Sequence, residues 1–472
     1  MNRNLTRDEQ RIRAELKQQV LARAETNKEA LSYYDGSVRV HSLNIAVPPQ
    51  LANIGVVCDW PSTVVDTHHE RMNFLGWDDG DGYGMAEFNR TFAAADRIQE
   101  AVQDSLIYGV GFLSVEQVPG TNQWALHSVS PLDGTLRWDP ITGRASAALR
   151  IIRNAGLSAD GWVYSREVIH FEGYSIVVQP GAHPNDAEVV HEYKTVPGMV
   201  PFFRIRNKLR SREWYGRSLI TPSVKYYTQA AARTMLGMEI NREFYTTPQR
   251  YAMGADMSDF TASDNPSHQE MVEAGWRVTM GRMLAIPRDE DGQVPSVGQF
   301  TAAPPTPYIE QLRAYSQLLA SATGLPTAYL GFSTENPPSG DAIRAWLERL
   351  IRSIEGQQRL ITGDLNQLGW TLLYLTGTAR PVWAEFTKQV APKWESPATQ
   401  QLAAESDALV KLIGAGVLPA THPWVLDRLR IPLEDQRAMK AELAKQTADK
   451  RLNELGSKLG TVTPDDLAGL QE

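Results

Sequence analysis

The chain has 472 residues and a formal charge of −8, from 47 basic and 55 acidic side chains, and 42 % of it is apolar. That is enough apolar material for a sizeable core spread over two or three domains, which excludes a globally disordered chain. The acidic balance excludes a protein that wraps nucleic acid by charge, but not one past which a nucleic acid slides, because such affinity comes from neutralised phosphates.

The single cysteine, Cys58, rules out an intrachain disulfide and fits a reducing compartment. No apolar run reaches the roughly 18 residues of a membrane span. The N-terminus MNRNLTRDEQ is charged and lacks the apolar core of a signal peptide, so synthesis in a host cytoplasm is expected.

Thr6 and Glu9 have capping-box spacing, and Leu16, Val20, Leu21 and Ala24 carry a helix to about Leu31. Asp35-Gly36 signals a turn. Residues 43–66 read as short apolar segments around Pro48, Pro49 and Pro61, and DDGDGYG at Asp78–Gly84 reads as a loop. Helical spacing returns from Glu87 to Tyr108 through Phe88, Phe92, Ala95, Ile98, Val102 and Leu106, with Gly109 as the C-cap. Residues 110–205 form a strand-rich block with turns at Pro119-Gly120, Asp139-Pro140 and Pro180-Gly181.

Residues 217–246 predict a helix that Pro248 ends. Residues 249–303 form a small mixed insert, with strand-like GWRVTM and RMLAIP and a turn at Asp289–Gly292. A further helix spans Pro305–Thr323, capped by Gly324. After the polar run FSTENPPSGD, Ser339 as N-cap and Asp341 in the first turn start a long helix. Ile343, Trp346, Leu347, Leu350, Ile354, Ile361, Leu365, Leu368 and Leu372 keep its period for about ten turns. Gly356, Gly363 and Gly369 interrupt that period at a cost of about 1 kcal/mol each against Ala. Kinks or close helix contacts are the expected reason. Gly377 and Pro381 stop the helix, PVWAEF reads as a strand, and a helical cluster runs from about Thr399 to Leu455 with Pro419 separating two helices.

Signatures of chemistry are absent. There is no G-x-x-x-x-G-K-[ST] phosphate loop and no G-x-S-x-G elbow, and Cys58 lies in no nucleophile motif. His68-His69-Glu70 lacks the spacing of a zinc helix and reads as a surface pair. GVGF at Gly109–Phe112 follows a helix, the wrong context for a dinucleotide fingerprint, and DDGDG fails the calcium-loop template. No catalytic residue, cofactor or metal is therefore expected.

Arg204, Arg206, Lys208, Arg210 and Arg212 alternate, so an extended backbone would put all five cations on one face. Three readings stay open: a solvated edge that discourages strand pairing, a contact to an acidic neighbouring subunit, or a contact to a DNA backbone. The loop Phe332–Gly340 is either a plain helix connection or a binding loop on a rigid scaffold.

Five segments, taken in order, resemble the portal proteins of tailed siphophages. They are YYDG at Tyr33–Gly36, VPFFRIRN at Val200–Asn207, the run Gly216–Gly254 beginning GRSLITPSVKYY, YIEQLRAYSQLLASATGLPTAYLG at Tyr308–Gly331, and ENPPSGDAIRAWLERL at Glu335–Leu350. The resemblance implies an α+β portal fold and a ring of identical subunits, dodecameric in the virion, around a channel for double-stranded DNA. It makes residues 1–217 a wing, 218–247 and 305–326 two stem helices, and 248–304 a clip. Residues 327–376 become a tunnel loop with a long kinked helix, 377–398 a return strand of the wing, and 399–472 a crown with its tail.

By the same resemblance Ser333, Thr334, Glu335, Asn336 and Ser339 face DNA, and Arg288, Asp289, Glu290 and Asp291 of the clip meet partners. Those partners are the terminase large subunit, whose motor hydrolyses ATP, and then the head-to-tail adaptor protein; the major capsid and scaffold proteins are further neighbours. The location implied is the portal vertex of the capsid, with no membrane. The tunnel loop carries Glu335 and no cation, which suits a surface that touches DNA without gripping it. Two other classes are a soluble multidomain hydrolase with a non-motif active site and another phage head protein.

Overall fold

The computed structural model describes residues 3–38, 56–79, 82–157, 163–181, 187–208, 210, 213–246, 250–253, 267, 296–299, 304–331, 339–377, 379–398, 402–420, 422–429, 431 and 433–459. The chain divides into two units, Met1–Pro397 and Ala398–Glu472.

The first unit opens with β1 (Arg3–Asn4) and α1 (Arg7–Tyr34). The capping box forms as read: Thr6 Oγ1 accepts from the Glu9 amide at 3.3 Å, and the Glu9 carboxylate accepts from the Thr6 amide at 2.8 Å. Leu16 and Ile12 of α1 pack on Leu149, Ile169, Ile176 and Val178, while Arg13 and Lys17 converge on the buried Glu167 carboxylate. Then come α2 (Trp60–His69), β2 (Phe74–Asp78), α3 (Met85–Thr91) and α4 (Ala94–Tyr108).

The strand-rich block folds as two antiparallel sheets. Its strands are β3 (Val110–Gln117), β4 (Trp124–Val129), β5 (Gly134–Asp139), β6 (Arg144–Leu157), β7 (Val163–Phe171), β8 (Tyr174–Gln179), β9 (Glu188–Lys194) and β10 (Phe202–Arg206). One sheet has the order β1-β9-β8-β7-β6-β5 and the other β10-β3-β4. Phe112, Leu136, Ala148, Phe202 and Tyr215 fill the space between them.

A polar cluster shares that interior. Ser114 Oγ lies 3.0 Å from His170 Nε2 and donates to Glu116 at 2.7 Å; Arg150 donates to Glu116 at 2.7 Å. Burial alone would push the Glu116 carboxyl up, but His170 and the Arg150 charge hold it well below the usual range. Ser114 and His170 are both 0 % exposed, so this serine–histidine pair binds the sheets together and is closed to a substrate.

Three sequence expectations are corrected. The helix expected from Glu87 to Tyr108 breaks at Ala93, whose φ is 47°, because Asn89 Oδ1 accepts from the Ala95 amide at 3.0 Å and so caps a new helix. PVWAEF is not a strand. It enters α8 (Trp383–Gln389), where Trp383 and Phe386 sit on one helical face with rings 6.2 Å apart, and the strand β13 (Ala391–Trp394) follows and pairs with β2. His68 is not on the surface. It is 4 % exposed, its Nδ1 lies 2.8 Å from the Val64 carbonyl, and burial pushes its pKa down to about 4.

Among the described residues this unit also holds α5 (Pro222–Thr246), β11 (Arg250–Met253), β12 (Ser296–Gln299), α6 (Thr306–Thr323), a 3-10 turn at Thr327–Leu330 and α7 (Gly340–Thr376). Leu350, Ile354, Ile361, Leu365, Leu368 and Leu372 of α7 enter one core with Val65, Phe74, Ile98, Val102 and Leu113. The second unit holds α9 (Leu402–Gly414), α10 (Pro423–Arg428) and α11 (Leu433–Leu459), with Leu409, Val425 and Leu426 buried. Among the described residues no helix is long and apolar enough to cross a membrane, and no cluster of His, Cys, Asp or Glu could hold a metal ion.

Candidate functional site

Two helices bracket the insert. Tyr227 of α5 faces Tyr315 of α6 with ring centroids 6.4 Å apart, and Gly237 faces Tyr308, so the register falls in one helix as it rises in the other. The pair is therefore antiparallel. A Cβ on Gly237 would lie 3.2 Å from the Tyr308 ring, and the missing side chain lets the two helices close on each other. At the end where α5 finishes and α6 begins, β11 and β12 pair antiparallel, from Arg250 with Gln299 to Met253 with Ser296. The chain enters and leaves the insert through one two-stranded clamp. Helix α5 alone spans roughly 37 Å at about 1.5 Å per residue.

The long helix is continuous over 37 residues, roughly 55 Å. Ser339 caps it, its Oγ accepting from the Ala342 amide at 3.3 Å. The glycines in it serve different ends. A Cβ on Gly369 would meet Met85 at 3.0 Å and Trp77 at 3.1 Å, and Trp77 Nε1 donates to the Leu365 carbonyl at 3.2 Å, so this glycine marks a close contact. A Cβ on Gly363 would meet nothing within 4 Å. Arg349 donates to the Ser321 carbonyl at 2.9 Å and fixes α7 to the end of α6.

The alternating cations do not form a single extended row. Strand β10 ends at Arg206, and Lys208 takes a left-handed conformation with φ 48°. Gln357 of α7 holds that bend: its Oε1 accepts from the Lys208 amide at 3.3 Å and its Nε2 donates to the Arg206 carbonyl. Arg204 is 6 % exposed, with its guanidinium 3.3 Å over the Trp138 ring. Burial, and then the charge of Arg206, lower its pKa to about 10. Arg206 pairs with Asp364 of α7 at 3.3 Å. Lys208 and Arg210 are exposed, and Arg212 lies outside the described residues. Arg204 thus ties β10 to β5 of the other sheet and Arg206 ties it to α7, so the solvated-edge reading fails for these two.

Of the loop residues, Ser339 is described, as the helix cap; Ser333, Thr334, Glu335 and Asn336 lie outside the described residues, as do Arg288, Asp289, Glu290 and Asp291 of the insert. The strand-like GWRVTM and RMLAIP lie outside them too. Asp364 and Gln357 were missed in the sequence. Their signal was present: two polar residues seven apart on the buried side of an apolar helical period.

The sequence is 26 % identical over 454 residues to the portal protein of Mycobacterium phage L5, covering 92 % of this chain and 87 % of that one. It is 26 % identical over 411 residues to the portal protein of Mycobacterium phage D29, covering 82 % and 79 %. Among solved structures, a chain from the neck of an empty gene transfer agent particle, computed with C6 symmetry, is similar at a TM-score of 0.44 and 15 % identity, covering 79 % of this chain and 90 % of that one. The phage portal protein, SPP1 Gp6-like, model matches residues 13–449. That match takes in most of the chain, which belongs to the SPP1 Gp6-like family of phage portal proteins.

Proposed function

We propose that copies of this chain close into a ring, a dodecamer in the virion, that forms the channel at one capsid vertex for packaging and ejecting double-stranded DNA. The observation that carries this is the antiparallel α5–α6 pair with the insert clamped at one end, in a chain of the portal family. Such a pair holds a tip at a fixed distance from the body, as a tube wall requires, and a ring needs heterologous interfaces that close. In this reading residues 1–217 with the β13 return strand are the wing, the insert is the clip, and the helices after residue 398 are the crown.

The clip meets the terminase large subunit during packaging and the head-to-tail adaptor afterwards, with Arg288, Asp289, Glu290 and Asp291 among its contacts. Ser333, Thr334, Glu335, Asn336 and Ser339 form the wall that DNA passes. The absence of Lys and Arg from that loop supports sliding without capture, since each neutralised phosphate would strengthen binding. Lys208 and Arg210, exposed beyond β10, are free to meet a neighbouring subunit or DNA. ATP hydrolysis belongs to the terminase, and the chain catalyses nothing itself. Negative-stain electron microscopy of the purified protein tests the core of this reading: rings with a central hole are expected, and a monodisperse monomer at every concentration would overturn it.

A further inference from the structure

Where β5 and β10 face α7 there is a cavity of about 470 Å³, lined by Trp138, Arg204, Arg206, Asp364, Trp370 and Trp383 among others. Its charge is unbalanced. Arg206 is paired with Asp364, while Arg204, buried beside it, has no ion pair with a described residue. Arg204 donates through one terminal nitrogen to the Trp214 carbonyl at 3.4 Å, but the Nε atoms of both arginines are buried without an acceptor among the described residues. A buried cation with unused donors is costly unless an anionic acceptor reaches it. The cavity is therefore a site for a carboxylate or similar oxyanion set between aromatic walls.

The rim shows what carries that group. Trp383, at the wall, is 39 % exposed, its neighbour Val382 is 64 % exposed, and Ile141, on the turn before the lining residues Gly143 and Arg144, is 93 % exposed. A small free ion has no use for an apolar rim, whereas a protein surface would cover it. The chain itself offers carboxylates in excess, 55 acidic against 47 basic side chains.

We propose that this cavity receives a carboxylate-bearing segment of an adjacent copy of the chain, which seals one subunit's sheet and long helix against the next. The proposal rests on the ring reading and adds to it a specific socket. In a closed ring every subunit supplies one socket and one plug, so the contact repeats all the way round.

Gly363 provides the test, because it lines the cavity and a Cβ added there meets nothing within 4 Å. Gly363→Phe should fill the socket, and Gly363→Ala should leave it open. Full-length wild type and both variants are compared by mass photometry across a dilution series, with circular-dichroism melts to check folding. The expected result is wild-type ring stability for Gly363→Ala and at least a tenfold rise in the ring's dissociation midpoint for Gly363→Phe, with neither variant melting below wild type. Rings of unchanged stability from a folded Gly363→Phe would overturn the socket and leave the ring reading standing. If Gly363→Phe misfolds, Arg204→Gln takes its place, with the same two outcomes. A free-anion site would appear as inorganic phosphate raising the melting temperature of wild type but not of Gly363→Phe, with ring stability equal in both, and that too would overturn the proposal. Absence of rings from the wild type would remove the ring reading itself.

Discussion

The guanidinium of Arg206, on the last residue of β10, lies 3.3 Å from the carboxylate of Asp364, in the middle of α7. The two side chains are 15 % and 17 % exposed, so the pair is largely desolvated and joins elements 158 residues apart. Asp364→Ala should leave Arg206 charged and unpartnered, lowering stability by about 2–4 kcal/mol. Replacing both, as Arg206→Met with Asp364→Leu, should recover most of that loss. Urea unfolding of the two single variants and the double variant measures the coupling, and strict additivity would refute it.

The glycines of α7 should respond in opposite directions. Gly369→Ala drives a methyl group against Met85 and the Trp77 ring and should cost about 1–3 kcal/mol. Gly356→Ala meets only the far end of Arg359, at 3.9 Å, and should gain up to about 1 kcal/mol from helix propensity. Thermal melts of the two variants side by side check the difference in sign.

Acid should loosen the sheets. Glu116 sits below its ordinary value of 4.5 because of His170 and Arg150, and Glu167 is lowered by Arg13 and Lys17. A depressed carboxylate contributes stability that is complete above the unfolded value and lost as pH falls through the folded one. Stability should therefore decline from about pH 4.5 downward, and Glu116→Gln should be less stable at pH 7 with a shallower decline in acid. Denaturant titrations at pH 3, 5 and 7 would show it.

Asp104 has the opposite sign. Burial, and then Glu100, push it from 3.8 up to about 7. Its ionisation is disfavoured in the folded state, so its contribution falls as pH rises from 3.8 to about 7 and is flat beyond. Asp104→Asn should stabilise the protein by about 1–3 kcal/mol at pH 8 and change little at pH 4. Equal shifts at both pH values would contradict the assignment.

The tunnel-loop proposal has its own check. Deleting Thr334–Ser339 should leave ring assembly intact while impairing DNA packaging. Packaging at the wild-type level by the deletion variant, scored as encapsidated DNA, would sink the assignment.

Helix ends were legible because each depends on residues close in sequence. Thr6 with Glu9, Ser339, Gly109 and Gly324 all act where their local patterns placed them; Gly109 takes φ 98°, a conformation that favours glycine. The apolar period of α7 was equally plain. What failed depended on distant partners or competing local bonds. Arg204 looked like part of a solvent-facing row because nothing near it announces Trp138, 66 positions earlier, or the packing of α7 against β10. Ala93 carries no breaking signal, since the break is set by the side chain of Asn89. In PVWAEF the Trp383–Phe386 spacing was helical, but six residues are too short for the period to outweigh alternation.

The clamp formed by β11 and β12 at the end of the α5–α6 pair has one more consequence. Four residues on each side pair, Arg250 with Gln299 through to Met253 with Ser296, and so hold the chain leaving α5 against the chain returning to α6. The two segments are thereby kept one strand spacing apart, roughly 5 Å, as the jaws of a chuck are set to one width.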